Sequence, residues 1–204
     1  MRIPGLLLTY SIVAASVARP AWGQVAVPGW EVLSESRLEV LTQRGGLLSF
    51  FGHDHLVRAE RFEGTLSYSP ADPSAASVRL VVDAASVRVL TSADSADLGT
   101  IQRDMELKVL KPSEFPTIEF TSDEVEADGD RLRIKGVLAL VGVERPVELD
   151  AVLAAEGDTL EASGEFEIRL RDFGIEPPTA AAGTVKVKNE VTFRIHLLAR
   201  RLPG

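Results

Sequence analysis

The chain offers one group of residues equipped for chemistry, Gly52-His53-Asp54-His55. On a strand, residues two apart share a face about 7 Å apart, so His53 and His55 could chelate one metal ion. A competent site needs a third and usually a fourth ligand. The one remaining histidine is His196. Alternation along its strand turns it outward with Lys186, Lys188, Glu190, Thr192 and Arg194. Asp54 points away from both histidines on a regular strand, and no spacing directs Asp172 or Glu176 to them. The preferred reading is that His53 and His55 hydrogen-bond locally or line a cavity mouth, with no metal and no cofactor. A metal- or haem-associated protein using His53 and His55 stays open as the alternative.

Other chemistries find little support. Cysteine is absent, which excludes a thiol nucleophile, a disulfide framework and a Cys-zinc site. No Gly-x-Ser-x-Gly elbow, phosphate-cradling loop or dinucleotide fingerprint occurs. Alternation places nearly all Asp and Glu outside, so paired carboxylates for acid–base work are not expected inside. The chain therefore reads as a non-enzyme. Its formal charge is −8, which argues against nucleic acid and against anionic lipid surfaces.

The elements that must hold the histidines are strands. Residues 1–23 carry an early Arg2, an apolar run over residues 5–17 and the small-residue stretch Ala21-Trp22-Gly23. That pattern predicts a signal peptide, cut after Gly23 or Ala18, and an exported domain over residues 24–204 that is periplasmic or secreted. Without Arg2 and Arg19 the remainder has 20 basic and 30 acidic residues. Apolar residues then alternate with polar ones in stretch after stretch. Phe62, Gly64, Leu66 and Tyr68 share one face; so do Ile118, Phe120 and Ser122, then Leu132, Ile134, Gly136, Leu138 and Leu140. Phe166, Ile168 and Leu170 belong to another strand, and Val191, Phe193, Ile195 and Leu197 to the last. Asp128-Gly129 and Gly157-Asp158 predict tight hairpins, and a further turn is expected at residues 142–145. Only residues 92–110 change period: Leu98, Ile101, Met105 and Val109 mark an amphipathic helix that Pro112 ends.

About eight one-faced antiparallel strands solve their edge problem best by closing into a barrel. Such a barrel either fills its interior or holds one small ligand. Gly64, Gly136, Ala151, Ala162 and Gly164 on inward faces suit a cavity, or else mark bends where coiled strands approach closely.

Four segments together carry a family resemblance: GHDHLVRAERFEGTLSY, RDMELKVLKPSEFPTIEFTS, KGVLALVGVERPVEL and IRLRDFGI. Within them the P-x-I-x-F-x-S strand is Pro116, Ile118, Phe120 and Ser122. The G-x-L-x-x-x-G-V-x-x-P-V turn runs through Gly136, Leu138, Gly142, Val143, Pro146 and Val147. The R-x-D-F-G-like signature is Arg171, Asp172, Phe173 and Gly174. The chain resembles the YceI-like family of periplasmic proteins, in a branch with a G-H-x-H opening motif. The resemblance implies a lipocalin-like extended barrel with one inserted helix, binding a polyisoprenoid or similar amphiphilic lipid in an apolar tunnel. The expected lining is Phe50, His53, His55, Phe62, Leu66, Tyr68, Met105, Ile118, Phe120, Leu138, Phe166 and Phe193. Arg171 and Asp172, beside Phe173-Gly174 at a strand end, read first as a corner clamp, with a polar mouth that binds a headgroup as the alternative. No nucleic acid and no membrane span are expected; a homodimer is compatible with this reading, as is a scaffold for an envelope enzyme. If the histidines only pack, calorimetry with Zn²⁺, Cu²⁺ or Ni²⁺ near neutral pH shows no uptake; one ion bound per chain, lost in His53→Ala and His55→Ala variants, would establish the metal alternative.

Overall fold

The computed structural model describes residues 29–45, 55–90, 95–180 and 185–203. Its strands are β1 (Gly29–Val32), β2 (Arg37–Gly45), β3 (His55–Ala59), β4 (Phe62–Ser67), β5 (Ser77–Asp83), β6 (Val87–Val89), β7 (Thr117–Asp128), β8 (Arg131–Leu140), β9 (Val143–Glu156), β10 (Thr159–Arg169), β11 (Thr179–Ala180) and β12 (Val185–Arg201). All pairings are antiparallel, in the order β1-β4-β5-β7-β8-β9-β10-β12, and β12 also pairs β1. That closes an all-β barrel of eight staves.

Three staves are broken in two. β12 pairs β1 through residues 199–201 and β2 through residues 186–196. β1 and β2 therefore share one stave, at opposite ends of the barrel. β3 runs into β4 after a bend at Glu60-Arg61, and β5 runs into β6 after the turn Ala84–Ser86. These breaks give eleven strands, and the two-residue β11 beside β12 makes the twelfth where about eight were expected.

Alternation buries one face, and the end holding β1 is tightly filled. Trp30, Leu160 and Ala199 have no exposure. The Trp30 indole N–H donates to Tyr68 O at 3.2 Å, and the Arg201 guanidinium lies 4.8 Å from its ring centre. We call this the lower end.

Hairpins form where Gly-Asp pairs supply the turn: Gly129 and Gly157 both have positive φ, 64° and 59°, at the first loop position. The turn expected at residues 142–145 is instead the two residues Val141 and Gly142, with φ of 47° and 74°. A β-branched residue in that region is unfavourable, so the sequence hid the position. The inward glycines are bends rather than vacancies. A methyl group on Gly64 would lie 2.5 Å from Leu80 Cδ2, one on Gly164 2.6 Å from Asp150 O, and one on Gly136 would collide with Thr121 O. Ser122 sits where the β7–β8 register shifts, and its hydroxyl accepts the Val78 N–H at 2.9 Å.

The helix, α1, spans Ser95–Asp104 and continues as a wider π-helical turn over Met105–Leu110. Lys111 ends it at φ 46°, donating its N–H to Glu106 O at 2.9 Å. Among the described residues no helix is long and apolar enough to cross a membrane.

The two bent staves are tied at Ser86, which is fully buried. Its hydroxyl accepts the Arg61 N–H at 2.9 Å and donates towards Asp83 O at 2.7 Å and Arg61 O at 3.1 Å. Outside the same corner, Arg61 Nε and a terminal guanidinium nitrogen donate to Asp83 Oδ2 at 2.9 and 2.6 Å. Ser86→Ala leaves the Arg61 N–H without its acceptor, and should cost about 1–3 kcal/mol by urea denaturation. The Arg61 guanidinium, and after it the Ala85 N–H, hold the Asp83 carboxyl below its usual range despite opposing desolvation. A depressed carboxylate contributes stability that is complete above its unfolded-state pKa and lost as pH falls through the folded one. Thermal melts of wild type should therefore decline more steeply below about pH 4 than those of Asp83→Asn.

Candidate functional site: an apolar cavity in the upper barrel

Above the packed end, the inward side chains leave a cavity of about 530 Å³. The register shows how the staves build it. Val40 faces Phe193 and Val57, Val57 faces Val89, and Phe193 faces Phe166. The Phe166 and Phe193 rings stack with centroids 5.0 Å apart and planes 18° apart. Lower down, Leu80 faces Phe120 and Phe120 faces Leu138, all three lining the cavity. α1 and the turn after it supply Thr100, Ile101, Asp104, Met105 and Val109.

Polar lining groups gather towards the upper end. Thr42 and Gln43 come from β2, and His55 is the register partner of Thr42. Thr42 Oγ1 donates to the His55 carbonyl at 3.4 Å. The lining carboxylates are engaged by cations: Glu39 accepts from Arg58 at 2.9 and 2.6 Å, Glu119 from Arg79 at 3.0 Å, and Asp104 lies 2.9 Å from Lys108. Such a space is suited to holding an apolar chain with a polar end near His55. Among the described residues no three His, Asp or Glu side chains gather as metal ligands.

Of the expected lining residues, His55, Met105, Ile118, Phe120, Leu138, Phe166 and Phe193 surround this cavity. Leu66 and Tyr68 border a separate space of about 60 Å³ at the packed end. Phe62 packs against the core and lines neither space. Its register partner Val82 faces Ile118, and those two line the wall instead. Phe50 and His53 lie outside the described residues. His196 points outward as parity requires, with Nδ1 2.9 Å from Ser163 Oγ and 3.7 Å from Glu161.

Arg171 and Asp172 do not line the mouth. They sit in the short 3₁₀ turn Leu170–Phe173, which Gly174 ends at φ 72°. That turn buries Leu170 and Phe173 and leaves the two charged side chains exposed. Arg171 reaches Glu176 at 3.4 Å, its N–H donates to Asn189 Oδ1 at 3.0 Å, and Asp172 O accepts from Arg145 Nε at 2.9 Å. They clamp the corner that presents Leu170 and Ile175 to the cavity.

Two residues escaped the sequence reading. Trp30 closes the lower end, and a single tryptophan at the start of the alternating region was its signal. Gln102 ties the helix to β6: its Oε1 accepts the Val89 N–H at 2.9 Å, and its Nε2 donates to Val87 O at 2.9 Å. On the polar side of an amphipathic helix it reads as a solvated residue, and no pattern distinguishes it.

A hollow tolerates added bulk that a packed core does not. Val40→Phe, facing the cavity, should change stability by less than about 1 kcal/mol. Ala199→Leu, in the filled end, should cost about 1–3 kcal/mol or more, since overpacking forces strain. Urea midpoints of the two variants decide between them.

Comparison with known proteins agrees with this architecture. The YceI-like domain family matches residues 35–199. Protein YceI of Escherichia coli O157:H7 is 34% identical over 126 residues, 56% of this chain and 60% of that protein. Protein YceI of Salmonella newport is 35% identical over 125 residues, with the same shares. The match thus spans about three-fifths of the length of these relatives. Among solved structures, Burkholderia cenocepacia BcnA superposes with a TM-score of 0.66 at 18% identity, covering 82% of this chain and 98% of that one. A polyisoprenoid binding domain from Saccharophagus degradans, implicated in plant cell wall breakdown, gives 0.56 at 14%, covering 85% and 98%.

Proposed function

Because the chain belongs to the YceI-like family, we propose that it is a binding protein, not an enzyme, that takes a polyisoprenoid or similar long-chain amphiphile into the upper cavity. The observation that carries this reading is the apolar hollow of about 530 Å³ between Phe166, Phe193 and the helix. It falls within the roughly 300–1,000 Å³ of ordinary ligand pockets. The polyisoprenoid-binding neighbour of the same fold supports the choice of ligand class.

The energetics need little polar recognition. Burying one methylene is worth about 0.8 kcal/mol, so ten contribute on the order of 8 kcal/mol before association costs. Association costs several kcal/mol of that, so a longer buried chain or a polar head must supply the remainder for tight binding. The polar lining of Thr42, Gln43 and His55 near one end supports a polar head there, with the tail towards Leu138 and Leu149. The basic-apolar-small pattern of residues 1–23 supports export, with the carrier acting in the periplasm or outside the cell.

The test is mass spectrometry of protein isolated from its own envelope without detergent exchange. A co-purified isoprenoid or other long-chain lipid at about one per chain is expected, lost on filling the cavity with a Val57→Trp, Leu138→Trp pair. Protein that carries no lipid, and takes up none when offered long-chain isoprenoids, would contradict the proposal.

A further inference from the structure

The upper cavity has one wall that is not sheet. β6 pairs β3 along one edge, through Val89 with Val57, Arg88 with Arg58 and Val87 with Ala59. Among the described residues no strand pairs its other edge. β7 begins at Thr117, opposite Asp83, and the Ala84 N–H donates to Pro116 O at 2.9 Å just beyond. Above that rung the wall is the helix.

Gln102 joins the two. A neighbouring strand would offer β6 an acceptor for the Val89 N–H and a donor for Val87 O. The Gln102 amide supplies both, at 2.9 Å each. Its Nε2 also reaches Glu106 Oε1 at 2.7 Å, and Glu106 lies 3.9 Å from Arg88. Gln102 does not itself line the cavity, whereas its neighbours Ile101 and Met105 do. At the far end the helix widens into the π-helical turn and stops on Lys111 at φ 46°, with Leu110 buried as an anchor. Wide turns and left-handed non-glycine residues store strain, and they concentrate where a structure moves or binds.

We propose that α1 is a side door to the cavity, that the Gln102 amide is its latch, and that Met105–Lys111 is its hinge. This rests on the reading that the cavity takes an amphiphile. A seam between two strands opens only when several backbone hydrogen bonds break together. This seam is held by two bonds from one side chain and by the long, half-exposed Arg88–Glu106 pair at 3.9 Å. The opening runs lengthwise between β6 and β7, so an extended chain enters sideways instead of threading end-on. The latch is made whether the cavity is full or empty, so it sets exchange rates and leaves affinity unchanged.

The test is stopped-flow binding of dansyl-labelled farnesol to the full chain, with hydrogen exchange read in parallel. Gln102→Leu keeps the bulk and removes both bonds. It should raise association and dissociation rates about tenfold each, the order expected for two lost neutral hydrogen bonds. The dissociation constant should stay within about twofold, and the Val89 amide should exchange faster. Gln102→Met keeps the length and also removes the bonds, so it should act as the leucine variant does; it carries the test if the leucine variant does not fold. Val152→Thr, on the exposed outer face of β9, should change nothing. Unchanged rates in a Gln102 variant that binds the probe would overturn the side door. An unchanged Val89 amide would overturn the latch with or without probe. A wild-type chain that fails to bind the probe rejects the ligand reading instead, and the Val89 amide still decides the latch.

Discussion

Everything in this fold depends on β12. A strand with one apolar face needs a covered face and two satisfied edges. β12 runs over seventeen residues, Val185–Arg201, longer than the barrel's other staves can match with single strands. It pairs β10 on one side over residues 190–200. On the other side no single strand covers it. β2 takes its first part and β1 its last. Closure is achieved, but at the cost of one stave made from two segments far apart along the barrel axis.

That division organises the interior. Near β1 the barrel is closed and filled, with Trp30, Leu160 and Ala199 inaccessible to solvent. Near β2 the adjacent staves must bend to keep pairing, and the bends are tied by Ser86 and capped outside by Arg61 and Asp83. β7 begins only opposite Asp83, so among the described residues no strand flanks the outer edge of β6, and the helix bonds it there through Gln102. The cavity lies where the sheet is replaced by helix, and its apolar lining follows from the same alternation that packs the lower end. Surface ion pairs such as Lys135 with Glu126, at 2.7 Å, decorate the outside without deciding this arrangement, since exposed pairs contribute little.

The alternation, the hairpins at Gly129 and Gly157 and the helix ending before Pro112 were legible, because each follows from local chemistry. His196 was correctly turned outward by parity alone. What was not legible arose from pairings distant in sequence. The glycines at 64, 136 and 164 are compatible with a hollow or with close approach, and only the neighbouring Leu80, Thr121 and Asp150 decide for approach. Arg171 and Asp172 were open to a corner clamp or a charged mouth, and the turn that directs them outward and sends Leu170 and Ile175 inward makes them the clamp. Leu66 and Tyr68 have the right parity but lie towards Trp30, and depth along a barrel cannot be read from alternation. Gln102 is legible only once β6 is known to lack a neighbour.

An apolar hollow in the upper barrel that holds a long chain would be visible in a crystal structure of protein taken from its native envelope without lipid removal. Continuous elongated density is expected, beginning near His55 and passing between Phe166 and the helix towards Leu138. An interior closed by its own side chains, or one holding only ordered water, would contradict it.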